Sequence, residues 1–142
     1  MSVKDGDDMT KRGDSYTVTL KKAHLNWGTH RHTSSRDSID GEAYIPIPRD
    51  IAIKFNILNS NGTGGKDVLG ENVFEFEVEG GSIHGNLKSQ GCHAAGDIYA
   101  KQFSRRGDLK AIGDWFDYIK ASEGTVIKIE WISPTKVMLS KI

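Results

Sequence analysis

Apolar and polar positions alternate in several short runs along the chain. YTVTL (Tyr16 to Leu20) alternates and is rich in β-branched residues, which predicts a first strand. EAYIPIP predicts a second, and its prolines, Pro46 and Pro48, suit an edge or a strand end rather than a central ladder. PRDIAIKF then predicts a short helix starting near Pro48, a favourable first-turn residue. VFEFEVE (Val73 to Glu79) has period two, with Phe74, Phe76 and Val78 on one face and Glu75, Glu77 and Glu79 on the other, solvated one. Gly80-Gly81 turns the chain into SIHGNLK, a weaker strand, and DIYAKQF (Asp97 to Phe103) predicts another. Asp108 is expected to cap a helix whose stripe is Leu109, Ile112, Phe116 and Ile119, broken at Glu123-Gly124. TVIKIEW puts Ile127, Ile129 and Trp131 on one face, and KVMLSKI closes the chain after a turn at Ser133-Pro134. About seven short strands and two short helices at this spacing predict an all-β fold, a small seven-stranded open barrel.

Composition sharpens this picture. The chain has 142 residues, 37% hydrophobic and 27% charged, enough to bury one core and too few for two ordinary domains. Sixteen glycines against three prolines fit a fold with many turns. Cys92 is the sole cysteine, which excludes an intramolecular disulfide framework and a multi-cysteine zinc finger. No apolar run approaches the roughly 18 residues that span a bilayer, and MSVKDGDDMTKRGDS lacks the apolar centre of a secretory signal. The expectation is a soluble cytoplasmic protein with no membrane partner. Residues 1–14 are expected to form a flexible polar lead, and residues 15–142 the domain.

Charge changes the picture again, because a formal net charge of zero conceals an uneven distribution. Residues 21–36 carry Lys21, Lys22, Arg31 and Arg36 without an acid, a formal +4. Residues 82–106 carry Lys88, Lys101, Arg105 and Arg106 against Asp97 alone, a formal +3. Residues 71–79 carry four glutamates and no base. All five histidines fall inside the two basic segments. The first of these belongs to a polar connection, Lys21 to Asp40, without periodicity; structureless connections of this length are uncommon in small domains and usually functional. The first segment offers Asn26, Trp27, Thr29, Thr33, Ser34, Ser35 and Arg36, and the second Asn86, Lys88, Ser89, Gln90, His93 and Gln102. Arg meets guanine edges and Asn or Gln adenine, while Ser, Thr and Lys hold phosphates. Simply solvated loops would have a similar polar composition; the coincidence of length, charge bias and histidine clustering in both segments favours a polyanion-binding face.

Other chemistries are weaker. His30 and His32 form an H-x-H pair, and Cys92-His93 could add ligands, yet the acidic partner and fixed spacing of a metal-binding barrel enzyme are missing. Neighbours such as Cys92 and His93 make a poor nucleophile and base. Glu75, Glu77 and Glu79 lack the following Glu-x-Lys or Asp-x-Lys of a metal-dependent nuclease. NGTGGKD lacks the spacing of a phosphate-binding P-loop. Trp27 could stack on a base or anchor its loop; Trp115 and Trp131 belong to the core. No catalytic residue, metal or cofactor is expected, and a metal-dependent barrel enzyme using His30 and His32 and a protein-interaction domain remain as alternatives.

The order of elements resembles the DNA-binding pseudobarrel of the plant B3 transcription factors. More closely, it resembles the B3-like C-terminal recognition domains of bacterial restriction endonucleases whose nuclease is of the phospholipase-D type. GEAYIPIPRDIAIKF, then GNLKSQG and GDIYAKQFS, then DLKAIGDWFDYIKASEGTVIKIEW and the terminal strand carry the likeness, over most of residues 16–142. The resemblance implies sequence-specific recognition of double-stranded DNA by two loops gripping the major groove. The N-arm would be about Trp27 to Asp40 and the C-arm about Lys88 to Lys101. It implies Trp27, Arg31, His32, Ser35 and Arg36 as N-arm base readers, and Lys88, Ser89, Gln90 and His93 as C-arm readers. Lys21, Lys22, Lys101, Arg105 and Arg106 would be phosphate contacts. The plant pattern around the arms is not reproduced, so the target sequence does not carry over. The recognition domain is not itself catalytic in that family. Any nuclease would be a partner domain or subunit, since the H-x-K motif of phospholipase-D nucleases is absent here.

Overall fold

The computed structural model describes residues 10–25, 43–59, 67–81, 83–91, 98–106 and 110–142. The strands are β1 (Ser15–Thr19), β2 (Ile45–Pro46), β3 (Val73–Val78), β4 (His84–Gln90), β5 (Gln102–Arg105), β6 (Val126–Ser133) and β7 (Lys136–Lys141). A single turn, α1 (Lys22–Leu25), follows β1, and two longer helices, α2 (Arg49–Phe55) and α3 (Ala111–Tyr118), complete the described elements.

The strands form one sheet in the order β1-β6-β7-β3-β4-β5-β2. All neighbours are antiparallel except β3 and β7, which run parallel. The edges β1 and β2 approach each other across a seam that the Tyr16 hydroxyl bridges by donating to the Pro46 carbonyl at 3.1 Å. The result is mostly β, a nearly closed seven-stranded barrel.

Alternation explains why the barrel has an inside. Ile127, Ile129 and Trp131 of β6, Phe74, Phe76 and Val78 of β3, and Val137 and Leu139 of β7 are all buried. Trp131 sits among aromatic rings, with centroids of Phe55 and Phe74 at 5.7 Å and of Tyr16 and Phe103 at 6.4 Å. The other face of β3 carries exposed Glu75 and half-buried Glu77, as the period-two pattern predicts.

Helix α2 begins at Pro48, whose carbonyl accepts the Ala52 N–H at 3.0 Å. It ends at Asn56 in the left-handed region (φ 55°), a conformation that Asn tolerates better than most residues. In α3, Ile112, Trp115 and Phe116 are buried and Ile119 packs partly against the core. Asp108 and Leu109 lie outside the described residues, and the cap position is occupied by Lys110 without a side-chain cap bond.

Several boundaries differ from the sequence expectation. Among the described residues of EAYIPIP, Ile45–Pro46 form the strand, since prolines donate no ladder hydrogen bond. The fifth strand begins at Gln102 rather than Asp97, because residues 98–100 pair with another segment. There the Asn59 N–H donates to the Ile98 carbonyl at 2.7 Å, and the Ala100 N–H to the Ile57 carbonyl at 3.0 Å. Lys22–Leu25, expected within a connection lacking periodicity, forms a helical turn. Of the polar lead, residues 10–14 lie on the β6–β7 hairpin: Thr10 is buried and its hydroxyl donates to the Pro134 carbonyl at 2.8 Å. Among the described residues, no helix is long and apolar enough to cross a membrane.

Candidate nucleic-acid interface

Strand direction places the two basic segments. β1 and β5 run one way and β2 and β4 the other, as the ladder orientations require. The chain therefore leaves β1 and enters β2 at one end of the barrel, and leaves β4 and enters β5 at the opposite end. At the first end the stems meet where the Tyr44 N–H donates to the His24 carbonyl at 3.3 Å. The His24 and Tyr44 rings stack edge-on at 5.4 Å, and His24 Nδ1 accepts the Lys21 N–H at 3.0 Å. Burial, with Lys21 adding to it, pushes the His24 imidazole below its ordinary value, so it favours the neutral form that accepts this bond. At the second end Gly91 is fixed by donating to the Asn59 side-chain oxygen at 2.9 Å.

Between the two ends runs the outer face of β2, β5 and β4. Registers place Pro46 beside Gln102 and Gln102 beside Gln90, then Ser104 beside Lys88. Beyond β5, the Arg106 N–H donates to the Asn86 carbonyl at 2.8 Å and continues the ladder, which puts Arg106 on the outer side with Ser104. The Ser104 hydroxyl donates to the Gln90 side-chain oxygen at 3.2 Å, which orients that amide and leaves its N–H groups as donors. The strip is thus polar and hydrogen-bonding.

Asp67 stands at the border of the strip and pairs with Lys88 at 3.5 Å and Arg106 at 3.2 Å. On the β3 side, two shallow concavities of about 380 and 270 Å³ share Glu75 and Asn86. The larger is also lined by Glu77, which pairs with Lys136 at 3.7 Å. Carboxylates on this side repel a polyanion, so the barrel presents a preferred side as well as two preferred ends.

The expected site residues separate into groups. Trp27, Arg31, His32, Ser35 and Arg36 of the N-arm, and His93 of the C-arm, lie outside the described residues. Lys21, Lys22 and Lys101 are exposed, the first two at the N-arm stem and the third at the C-arm stem. Lys88, Gln90 and Arg106 come together on the outer strip. Ser89 points inward and is fully buried, with its hydroxyl donating to the Leu58 carbonyl at 2.6 Å. It joins two segments of the barrel and is not available to a base, because adjacent strand residues face opposite sides.

Arg105 likewise occupies the side opposite Arg106. Its guanidinium lies over Gly85, where a Cβ would stand 2.9 Å from Arg105 Nε. Sequence reasoning assigned no role to Asp67, whose pairing with β4 spans distant positions and leaves no local pattern. Gln102 and Asn86 were visible as polar chemistry, and it is register that adds them to the strip. Among the described residues, no group of three or more His, Cys, Asp and Glu is placed to hold a metal ion; His30, His32, Cys92 and His93 lie outside them.

Comparison with known proteins yields a fold likeness. No protein-family model and no curated protein matches the chain. Among solved structures it is similar to the N-terminal domain of Helicobacter pylori LlaJI.R1, with a TM-score of 0.52 at 12% identity. The match covers 91% of this chain and 87% of that one. At that identity, the likeness establishes a shared barrel fold across nearly the whole chain.

Proposed function

We propose that this chain binds a short site in double-stranded DNA, reading base edges in the major groove with two arms, and is a B3-like target-recognition domain of a restriction endonuclease. The observation that carries this reading is the polar strip of Gln90, Gln102, Lys88 and Arg106, bounded at its two ends by the stems of the two basic segments. A rigid strand floor between two loops suits the major groove, which is wide enough to admit secondary structure and distinguishes all four base pairs. Lys21, Lys22 and Lys101, exposed on the stems, supply phosphate contacts that position without specifying. The fold likeness to the N-terminal domain of Helicobacter pylori LlaJI.R1 supports the same reading. Hydrolysis belongs to a partner domain or subunit, and this chain acts without a cofactor.

The test is selection from a pool of random duplex DNA near 100 mM salt, with unmodified and cytosine-methylated pools run side by side. Enrichment of a motif of a few base pairs is the expected outcome, and the pool that yields it shows whether methylation is required or rejected. Failure to retain either pool overturns the DNA reading.

A further inference from the structure

Lys88 and Arg106 are cations of the outer strip, yet both point to one carboxylate. Asp67 Oδ1 lies 3.5 Å from Lys88 Nζ, and its Oδ2 lies 3.2 Å from Arg106 Nη2. The three side chains retain 30%, 52% and 21% of their exposure for Lys88, Arg106 and Asp67, so the pairs are reachable by solvent and by another anion. Ion pairs this exposed are individually weak. A phosphate can therefore replace the carboxylate, but a replaced Asp67 is then left beside the polyanion. Two cations and one carboxylate show an approaching backbone a formal +1 in place of +2.

We infer that Asp67 is a specificity-determining residue that restrains Lys88 and Arg106 from unspecific phosphate contact. This deepens the DNA reading and rests on it. Non-specific affinity comes almost entirely from neutralised phosphates, whereas a correct site adds base contacts. Holding two cations on an internal carboxylate lowers the first contribution more than the second in relative terms. The ratio between the correct site and arbitrary DNA rises as a result.

The test compares the wild-type chain, D67N, K88Q/R106Q and D67N/K88Q/R106Q, each first shown to be folded by circular dichroism and thermal unfolding. Retention on immobilised heparin and binding to a random-sequence duplex are both followed across a salt series. D67N is expected to elute from heparin at higher salt than the wild type. On arbitrary duplex it should bind several-fold tighter near 100 mM salt, with a salt slope steeper by about one unit for each cation released. In the K88Q/R106Q background the same substitution should change little. Equal shifts in both backgrounds would mean a generic charge effect and would overturn the inference, as would a folded D67N that binds no more tightly than the wild type. If no variant binds duplex while the background-dependent heparin shift persists, the restraint by Asp67 stands and it is the DNA reading that fails.

Discussion

At the residue scale, burial and partner decide what each polar side chain does. The Tyr16 hydroxyl ties β1 to the Pro46 carbonyl across the seam, in a fully desolvated position that pushes its ionisation well above the ordinary 10.0. A pKa raised on folding adds stability that is fully present below the unfolded value and is lost as pH rises through the folded one. The wild type should therefore lose stability progressively above about pH 10, and Tyr16→Phe should abolish that component in denaturant melts across pH. At neutral pH the same substitution should cost roughly 0.5–1.5 kcal/mol, the net worth of one hydrogen bond, with the now unpaired carbonyl favouring the upper end. Ser89 makes the same point by placement, since its inward hydroxyl holds Leu58 rather than facing the solvent. Among the described residues, the buried indole nitrogens of Trp115 and Trp131 have no hydrogen-bond partner, and what these rings contribute there is packing.

At the element scale, start and stop signals predicted the elements better than their exact lengths. Pro48 and the following apolar spacing mark α2, and Asn56 ends it in the left-handed region. Asn56→Gly should be close to neutral, whereas Asn56→Ala should destabilise by about 1–2 kcal/mol, since a Cβ-bearing residue without a side-chain amide is strained there. Thermal unfolding of the two variants checks the difference. The strands VFEFEVE and TVIKIEW were legible because one face of each is buried and period two survives in the residue types. DIYAKQF was legible as extended chain but not in its register. Pairing of its first half with residues 57–59 depends on a segment some forty positions away, a separation that leaves no trace in local pattern. α1 was missed because four residues offer too few positions for a helical stripe.

At the scale of the whole molecule, the arrangement that matters is two stems at opposite ends of one polar strip. On the DNA reading, charge and amide groups divide the work. Lys101→Ala should weaken binding to all duplexes by a similar factor and flatten the salt slope by about one unit. Gln102→Ala, on the floor beside Gln90, should instead lower discrimination at one position by about 1–3 kcal/mol and leave the slope unchanged. Salt titrations on a selected site and its single-base variants separate the two; equal slopes for both variants would remove the division of roles. The two basic segments and the acidic strand were visible by counting charges. Which cations share a face was not, since Arg105 and Arg106 are neighbours in sequence and occupy opposite sides of the sheet.

What the sequence by itself determined is the class of fold and its polarity. Alternating apolar residues can bury a face only as strands, and glycine and proline mark where the chain turns. What the tertiary structure decided is every relation between distant positions. These include the parallel pairing of β3 with β7, the seam closed by Tyr16, and the inward turn of Ser89. They also include the meeting of Asp67 with Lys88 and Arg106. Periodicity reports which side of an element is apolar, because burial acts on each residue locally. Register and ion pairing depend on which elements become neighbours, and that is settled when the whole barrel closes.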